Sequence, residues 1–485
     1  MGKRNISRRQ FIGEASCAAL GSLTLYNTLV NLGMLNTAAA RPHIISSPND
    51  YKAVVCILLA GGADSYNFLV PTEPTEYAQY VATRGSLALS NTATPPQLLP
   101  LNYNNNGRTF SVHAGLSAVQ NLFNTGQLSF LTNIGTLIEP IANKTEYNSG
   151  TKKIPLGLYS HSDQIMQWQT SVPQSRSAVG VAGRMADILQ DMNSIPQASM
   201  NISLAGKNRW QSGNETNEFS LSNTSTAATI GYTNYSSGLS NAGYLNDRKN
   251  KALDSLATQQ YANIFHQTIG DLNKSTSESL EVFKVALANL VPLTTTFSAT
   301  NLSNDLKKVA ELIKVRSFLG ASRQTFFVSY GGWDHHDDVI NNQNVMLPIV
   351  SNALNEFNNA MTELGMQDNV VTFTMSDFAR TLTSNGNGSD HAWGGNSMIM
   401  GGPIKGGDIF GDYPSLSLTS QLNLSSRGLL LPTTSVDEFY AEIALWFGVS
   451  PNDLSYILPN ICNFYSPNAC PAPVPSGYMP IGMFS

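Results

Sequence analysis

Five of the nine residues in YGGWDHHDD (330–338) are Asp or His, in a 485-residue chain of which only 13% is Asp, Glu, Lys or Arg. Asp334 and His336 stand two apart, so a loop or strand end can aim both into one cavity. A carboxylate with an imidazole is a common ligand pair for zinc or manganese. Asp337 and Asp338 could add hydrogen bonds behind such ligands. The same residues also suit a polar loop capping a helix that starts near residue 341, and spacing alone does not separate the two.

Two further clusters carry chemistry. SNGNGSDHAWGG (384–395) sets Asp390 beside His391 in a glycine-rich loop, where the backbone can turn and approach a bound group closely. LYSHSDQIMQWQ (158–169) sets Ser160, His161, Ser162 and Asp163 ahead of a helical run. A helix N-terminus favours anions, and a Ser there near a cation can be an activated nucleophile. Ser160, His161 and Ser162 are therefore the catalytic candidates. Plain N-capping by Ser160, Ser162 or Asp163 is the competing use.

The elements that must position these clusters alternate. KAVVCILLAGGADSYNFLVP (52–71) begins as a continuous apolar run stopped by glycines, the pattern of a central parallel strand. Helical period follows over 113–128, then strand-like runs over 128–136, 323–336 and 369–380. DQIMQWQTS and VGVAGRMADILQDM read as helices. Met346, Val350, Leu354, Phe357, Met361 and Leu364 recur at helical steps, and SVDE (435–438) is a capping box. This alternation predicts an α/β fold, a doubly wound, mainly parallel sheet with helices on both faces. Ligands in such sheets bind beyond the carboxyl ends of the strands. Asp64, Asp334 and Asp377 each follow a strand, so one fold brings all three to one edge. Residues 207–245 are rich in Ser, Asn, Thr and Gly, and helical signals return over 246–318. The expected organisation is an α/β domain over 41–450 with an insertion or cap at 207–318, and a tail over 451–485.

Composition sets the compartment and excludes some functions. The net charge is −5 and no basic tract exists, which argues against nucleic acid. No GxGxxG follows a strand, which argues against a nicotinamide or flavin enzyme. Residues 1–40 have a basic start, an apolar middle and an AAA end, and Arg8-Arg9 in SRRQFIG matches a twin-arginine export signal. The expected partner is the twin-arginine export machinery, and the expected location is periplasmic or secreted. No later stretch reaches the length of a membrane span. Cys462 and Cys470 are close enough in sequence to pair in an oxidising compartment.

LLAGGADSYNFLVP, YSHSDQ, GGWDHH, MSDFARTLTSNGNGSDHAWGG and PTTSVDEFYAEIALWFGV, in this order over about 50–450, resemble an exported bacterial family called domain of unknown function 1501. That family is similar to the alkaline phosphatase and sulfatase superfamily. The resemblance implies an alkaline-phosphatase-like core with a divalent metal at the strand ends: zinc, magnesium, manganese or calcium. It implies Asp64, Asp334, His336, Asp377, Asp390 and His391 as metal-site residues, with Ser160, or else Ser162, at the nucleophile position. Two departures stand out. Phe378 follows Asp377 where a histidine ligand is expected, and Asp334 and His336 are closer together than the superfamily's pair. The implied activity is hydrolysis of phosphate or sulfate esters, with a small anionic ester or a polysaccharide as substrate. The alternative is an exported, non-catalytic binding or assembly protein on a degenerate hydrolase fold. Separately, Asp64-Ser65 after the first strand resembles the Gly-Asp-Ser block of certain esterases, with Ala63 in place of the glycine.

Overall fold

The structure, a computed structural model, describes residues 50–195, 199–223, 248, 251, 279–464 and 481–484. The stretch expected as an export signal, Cys470 and most of the polar stretch between 224 and 278 lie outside the described residues. Cys462 is a disulfide cysteine.

In chain order the strands begin with β1 (Lys52–Ala60), β2 (Leu69–Pro71), β3 (Leu98–Pro100), β4 (Phe110–His113), β5 (Leu128–Gly135) and β6 (Asn201–Ser203). They continue with β7 (Phe219–Ser220), β8 (Arg323–Gly331), β9 (Val370–Ser376), β10 (Gly395–Gly401), β11 (Ile409–Phe410) and β12 (Thr434–Ser435). Nine of them form one sheet in the order β11-β5-β10-β9-β1-β8-β6-β7, with β12 also on β5. β2, β4 and β3 form a small separate sheet.

β1 lies between β8 and β9 and runs parallel to both. Its alternate residues serve opposite layers. Ala53, Val55, Ile57 and Leu59 join one core cluster, with Leu306 of the helix Asn301–Lys314 and Leu347 of the helix Val339–Leu364. Val54, Cys56 and Leu58 join the other, with Met185 of Val181–Leu189 and Phe439 of Val436–Phe447. A strand covered on both faces has no polar side to show, which is why its sequence is a continuous apolar run. The doubly wound α/β expectation holds.

β10 was not legible as a strand. It pairs antiparallel with both β5 and β9, so it enters the sheet from the carboxyl edge of its neighbours. Its start therefore sits where the other strands end, and it delivers the 384–394 loop to that edge. The stretch read as helical over 113–128 splits into the end of β4, a turn and the helix Ser117–Asn124. The expected capping box at Ser435 and Glu438 is present. The stretch expected as an insertion contributes to the sheet and its covering: β7 extends the edge, Trp210 is fully buried, and Asn301–Lys314 packs on one face. Among the described residues no helix is long and apolar enough to cross a membrane.

Candidate functional site

The loop after β1 fixes how closely the strand ends approach. Gly61 and Gly62 have φ of 124° and 80°. A Cβ on Gly61 would lie 2.5 Å from the Asp334 nitrogen, and one on Gly62 would lie 2.4 Å from the Phe378 ring. Only glycine takes both the backbone angle and the contact. The Gly61 N–H donates to Asp377 Oδ1 at 3.0 Å.

At this edge three imidazoles turn their Nε2 atoms toward Asp334. His161 Nε2 is 3.5 Å from Asp334 Oδ2. His391 Nε2 is 3.5 Å, and His336 Nε2 3.1 Å, from Asp334 Oδ1. His161, Asp334 and His391 each offer an atom within 4.8 Å of the others, the spread of a metal ligand set. Each imidazole is oriented through its other nitrogen. His161 Nδ1 donates to Asp377 Oδ2 at 2.7 Å, His391 Nδ1 to the Tyr159 carbonyl at 2.8 Å, and His336 Nδ1 to Asp390 Oδ1 at 3.2 Å. An oxygen on Nδ1 fixes the tautomer and leaves the Nε2 lone pair facing the site. His336 Nε2 and His391 Nε2 then face each other at 2.9 Å. Two lone pairs at that distance repel, so a proton or a cation fits between them.

The supports differ in kind. Asp377 is buried. Tyr159 has φ of 70°, costly for a bulky residue, by about 1–3 kcal/mol. That geometry aims its carbonyl at His391. Asp390 is shared: it also takes Asn385 Nδ2 at 3.0 Å and Arg427 Nη2 at 2.7 Å. Phe378 fills the place where a histidine was expected, with its ring centroid 4.8 Å from that of His161 and 4.6 Å from that of His391. It braces both imidazoles instead of adding a ligand.

Arg380, fully buried, joins four segments. It donates to the carbonyls of Gly61, Gly62 and Ser389 and to Asp334 Oδ1. Partial burial works to raise the Asp334 pKa, but the Arg380 bond and charge, with His161 and His336, hold it below the usual carboxylate range. Burial lowers the pKa of His391 against the pull of the Tyr159 carbonyl, and the Arg380 charge adds to the lowering. Burial would also raise Asp390, yet bonds from Asn385 and His336 and the Arg427 charge lower it. Ionised carboxylates with a neutral imidazole are the forms a metal requires.

The structure thus brings together His161, Asp334, His336 and His391, with Asp377 and Asp390 behind two of the imidazoles. It does not bring Asp64 into that set. Asp64 is fully buried, paired with Arg84 Nη2 at 2.7 Å. Asp337 and Asp338 do not back the ligands: Asp337 holds Asn387, and Asp338 holds Asn341 at 2.7 Å. His335 turns into the core against Trp333. Ser160 precedes its helix without a side-chain cap bond, and its Oγ lies 3.2 Å from Ser162 Oγ. Ser65 is buried and accepts from the Asn396 N–H at 2.8 Å. Sequence reading missed Arg380, Arg84 and the Tyr159 carbonyl. Arg380 had a signal, three residues after Asp377 in SDFAR; a backbone carbonyl has none.

A family model described as "Protein of unknown function (DUF1501)" matches residues 51–457. No curated protein matches the chain. Among solved structures, the PsFucS1 sulfatase from Pseudoalteromonas sp. is 9% identical, over 82% of this chain and 68% of that one, with a TM-score of 0.34. The lipoteichoic acid synthase LtaP from Listeria monocytogenes is 7% identical, over 75% and 70%, with a TM-score of 0.29. Alkaline phosphatase from the Antarctic bacterium TAB5 is 9% identical, over 74% of this chain and 94% of that one, with a TM-score of 0.22.

 At these TM-scores the likenesses carry no argument about activity.

Proposed function

On the premise that the chain belongs to the DUF1501 family, whose description assigns no activity, we propose a metal-dependent hydrolase of phosphate or sulfate esters. The observation that carries this is the convergence of three oriented Nε2 atoms on Asp334. His161, Asp334 and His391 would hold the ion, with His336 beside them. The donor set fits. Imidazole nitrogens with one carboxylate suit zinc or manganese, whereas magnesium and calcium prefer all-oxygen surroundings.

A divalent ion held here would supply Lewis-acid polarisation of an ester oxygen. The chain's own residues do the rest. Asp377, Asp390 and the Tyr159 carbonyl hold the imidazoles in one tautomer. Arg380 keeps Asp334 ionised and fixes one of its oxygens. Arg427, half-exposed beside Asp390, offers a guanidinium at the rim for an anionic substrate. Ser160, free of a capping bond and adjacent to His161, is the proposed nucleophile, with Ser162 as the alternative. The serine Oγ would bond to phosphorus or sulfur as the ester's C–O oxygen leaves as the alcohol with the hydroxyl proton, and water would then hydrolyse the serine ester to free phosphate or sulfate. We further propose that the chain is exported through the twin-arginine route by Arg8-Arg9 and acts outside the cytoplasm.

Elemental analysis of the purified mature protein, beside an Asp334→Ala/His336→Ala variant, tests this reading. A near-stoichiometric metal lost in the variant, with ester turnover that follows it, is the expected result. No metal in either folded protein sinks it. A second reading, a binding protein without turnover, draws on Arg84, which occupies a strand-end acid that hydrolysis could have used. Metal binding without turnover across phosphate and sulfate esters would favour it.

A further inference from the structure

The second strand-end acid has a cation built into the chain. Asp64 and Arg84 are both fully buried, with Arg84 Nη2 2.7 Å from Asp64 Oδ2. Ser389 Oγ donates to the same oxygen at 3.0 Å. Arg84 is locked from behind, because its Nη1 donates to the carbonyls of Thr381 and Leu382 at 3.3 and 3.2 Å. It reaches the edge from the end of the helix Pro74–Arg84. Gln343 Nε2 holds the Asp64 carbonyl at 2.9 Å, which fixes the acid's own backbone. The other oxygen, Oδ1, is buried with no hydrogen-bond partner.

Charge decides how many ions this edge accepts. The carboxylates in contact with its imidazoles or guanidiniums are Asp64, Asp334, Asp377 and Asp390, and the guanidiniums paired with them are Arg84, Arg380 and Arg427; Asp337 and Asp338 lie outside this bonded set, on Asn387 and Asn341. With the imidazoles neutral, as ligands must be, this bonded set carries one net negative charge. One divalent ion turns that into one net positive charge. A second would leave a strong positive excess around groups that are mostly buried, where unbalanced charge is expensive. Phe378, packed on His161 and His391, also takes up space beside Asp377 that a further ligand would need.

We infer that the site binds one divalent ion, and that Arg84 serves as the fixed counter-cation of Asp64, which is therefore not a ligand. This rests on the metal-site reading above and goes beyond it in number and in the role of Asp64. His161, Asp334 and His391 would hold that single ion, and Lewis-acid polarisation of the ester would come from this one position. The guanidiniums of Arg84 and Arg380 balance charge but do not exchange.

The test is metal stoichiometry and affinity by titration of the full mature chain with manganese, then zinc. The wild type should bind one equivalent. The charge-neutral pair Asp64→Asn/Arg84→Gln should keep one equivalent, with affinity within about three-fold, below the 10–100-fold expected when even a group behind a ligand is lost. Asp334→Asn should lose more than about 100-fold. Two equivalents in the wild type overturn the inference and leave the metal-site reading standing. Loss of the ion in the paired variant, with circular dichroism unchanged, also overturns it, because Asp64 would then be a ligand. No ion in the wild type overturns the metal-site reading itself. If the paired variant does not fold, Arg84→Lys supplies the second arm: a retained cation should keep one equivalent, and a second equivalent there counts against the inference.

Discussion

Two strand-end acids carry an arginine each and end in different states. Asp64, after β1, is sealed with Arg84, and neither side chain is exposed. Asp334, after β8, meets a buried Arg380 but keeps 47% of its own side chain open. The difference lies in where the guanidinium comes from and what surrounds the free oxygen. Arg84 arrives from a helix outside the sheet and leaves Asp64 inside the core. Arg380 lies on the loop after β9 and pins one oxygen of Asp334 from beneath, while three imidazoles approach from the open side. An ion pair uses up a carboxylate only when it also closes the site. When one side stays open, the same pair keeps the carboxylate ionised and aimed.

The largest expected break in this comparison is Asp334→Ala. It should remove the metal and reduce ester turnover by more than about a thousand-fold, the loss of several kcal/mol of charge stabilisation. Turnover that persists would mean the open acid is not functional. On the closed side, Arg84→Met leaves a buried carboxylate unpaired. Urea unfolding should show a loss of about 3–5 kcal/mol, and a neutral result would mean that Asp64 finds another partner.

Asp377→Asn tests the layer behind the proposed ligands. It keeps the shape of the His161 contact but removes the charge on it, so metal affinity should fall by about 10–100-fold with stability little changed. An unchanged affinity would make Asp377 a packing residue. The smallest effect concerns a third buried acid, Asp437, which has no guanidinium bonded to it: the Arg184 nearby spends its donors on the carbonyls of Ile457, Val179 and Thr170. Burial pushes Asp437 up to about 7, only partly opposed by Ser171 and the Arg184 charge. A raised carboxyl pKa means that the folded chain holds a proton the unfolded chain releases. Stability should therefore fall as pH rises from about 4 to about 7. Asp437→Asn should flatten that slope and raise the melting temperature at pH 8, and an unchanged slope would assign it to other groups.

Much of the site was legible because its residue types are rare in this sequence and follow apolar runs. Asp334, His336 and Asp377 stood out after apolar runs, Asp390 and His391 in a glycine-rich loop, and His161 in a polar cluster before a helix, where it read as catalytic and not as a ligand; all meet at one edge. The roles were less legible. Asp377 and Asp390 read as ligands, but the structure sets them behind His161 and His336, because direction across a loop depends on the neighbouring strand. Asp64 read as a ligand from its place after β1, and only the packing of the helix Pro74–Arg84 put Arg84 on it.

The sequence by itself determined the doubly wound sheet, since a run apolar at every position must be buried on both faces. It also determined which edge gathers the candidate site, since parallel strands place their following loops together. Tertiary structure decided which acid stays open and which is closed by an arginine. It also decided that β10 runs against its neighbours and brings His391 to the site. Those outcomes depend on contacts between residues up to 325 positions apart, such as Ser389 on Asp64, and no local pattern records them.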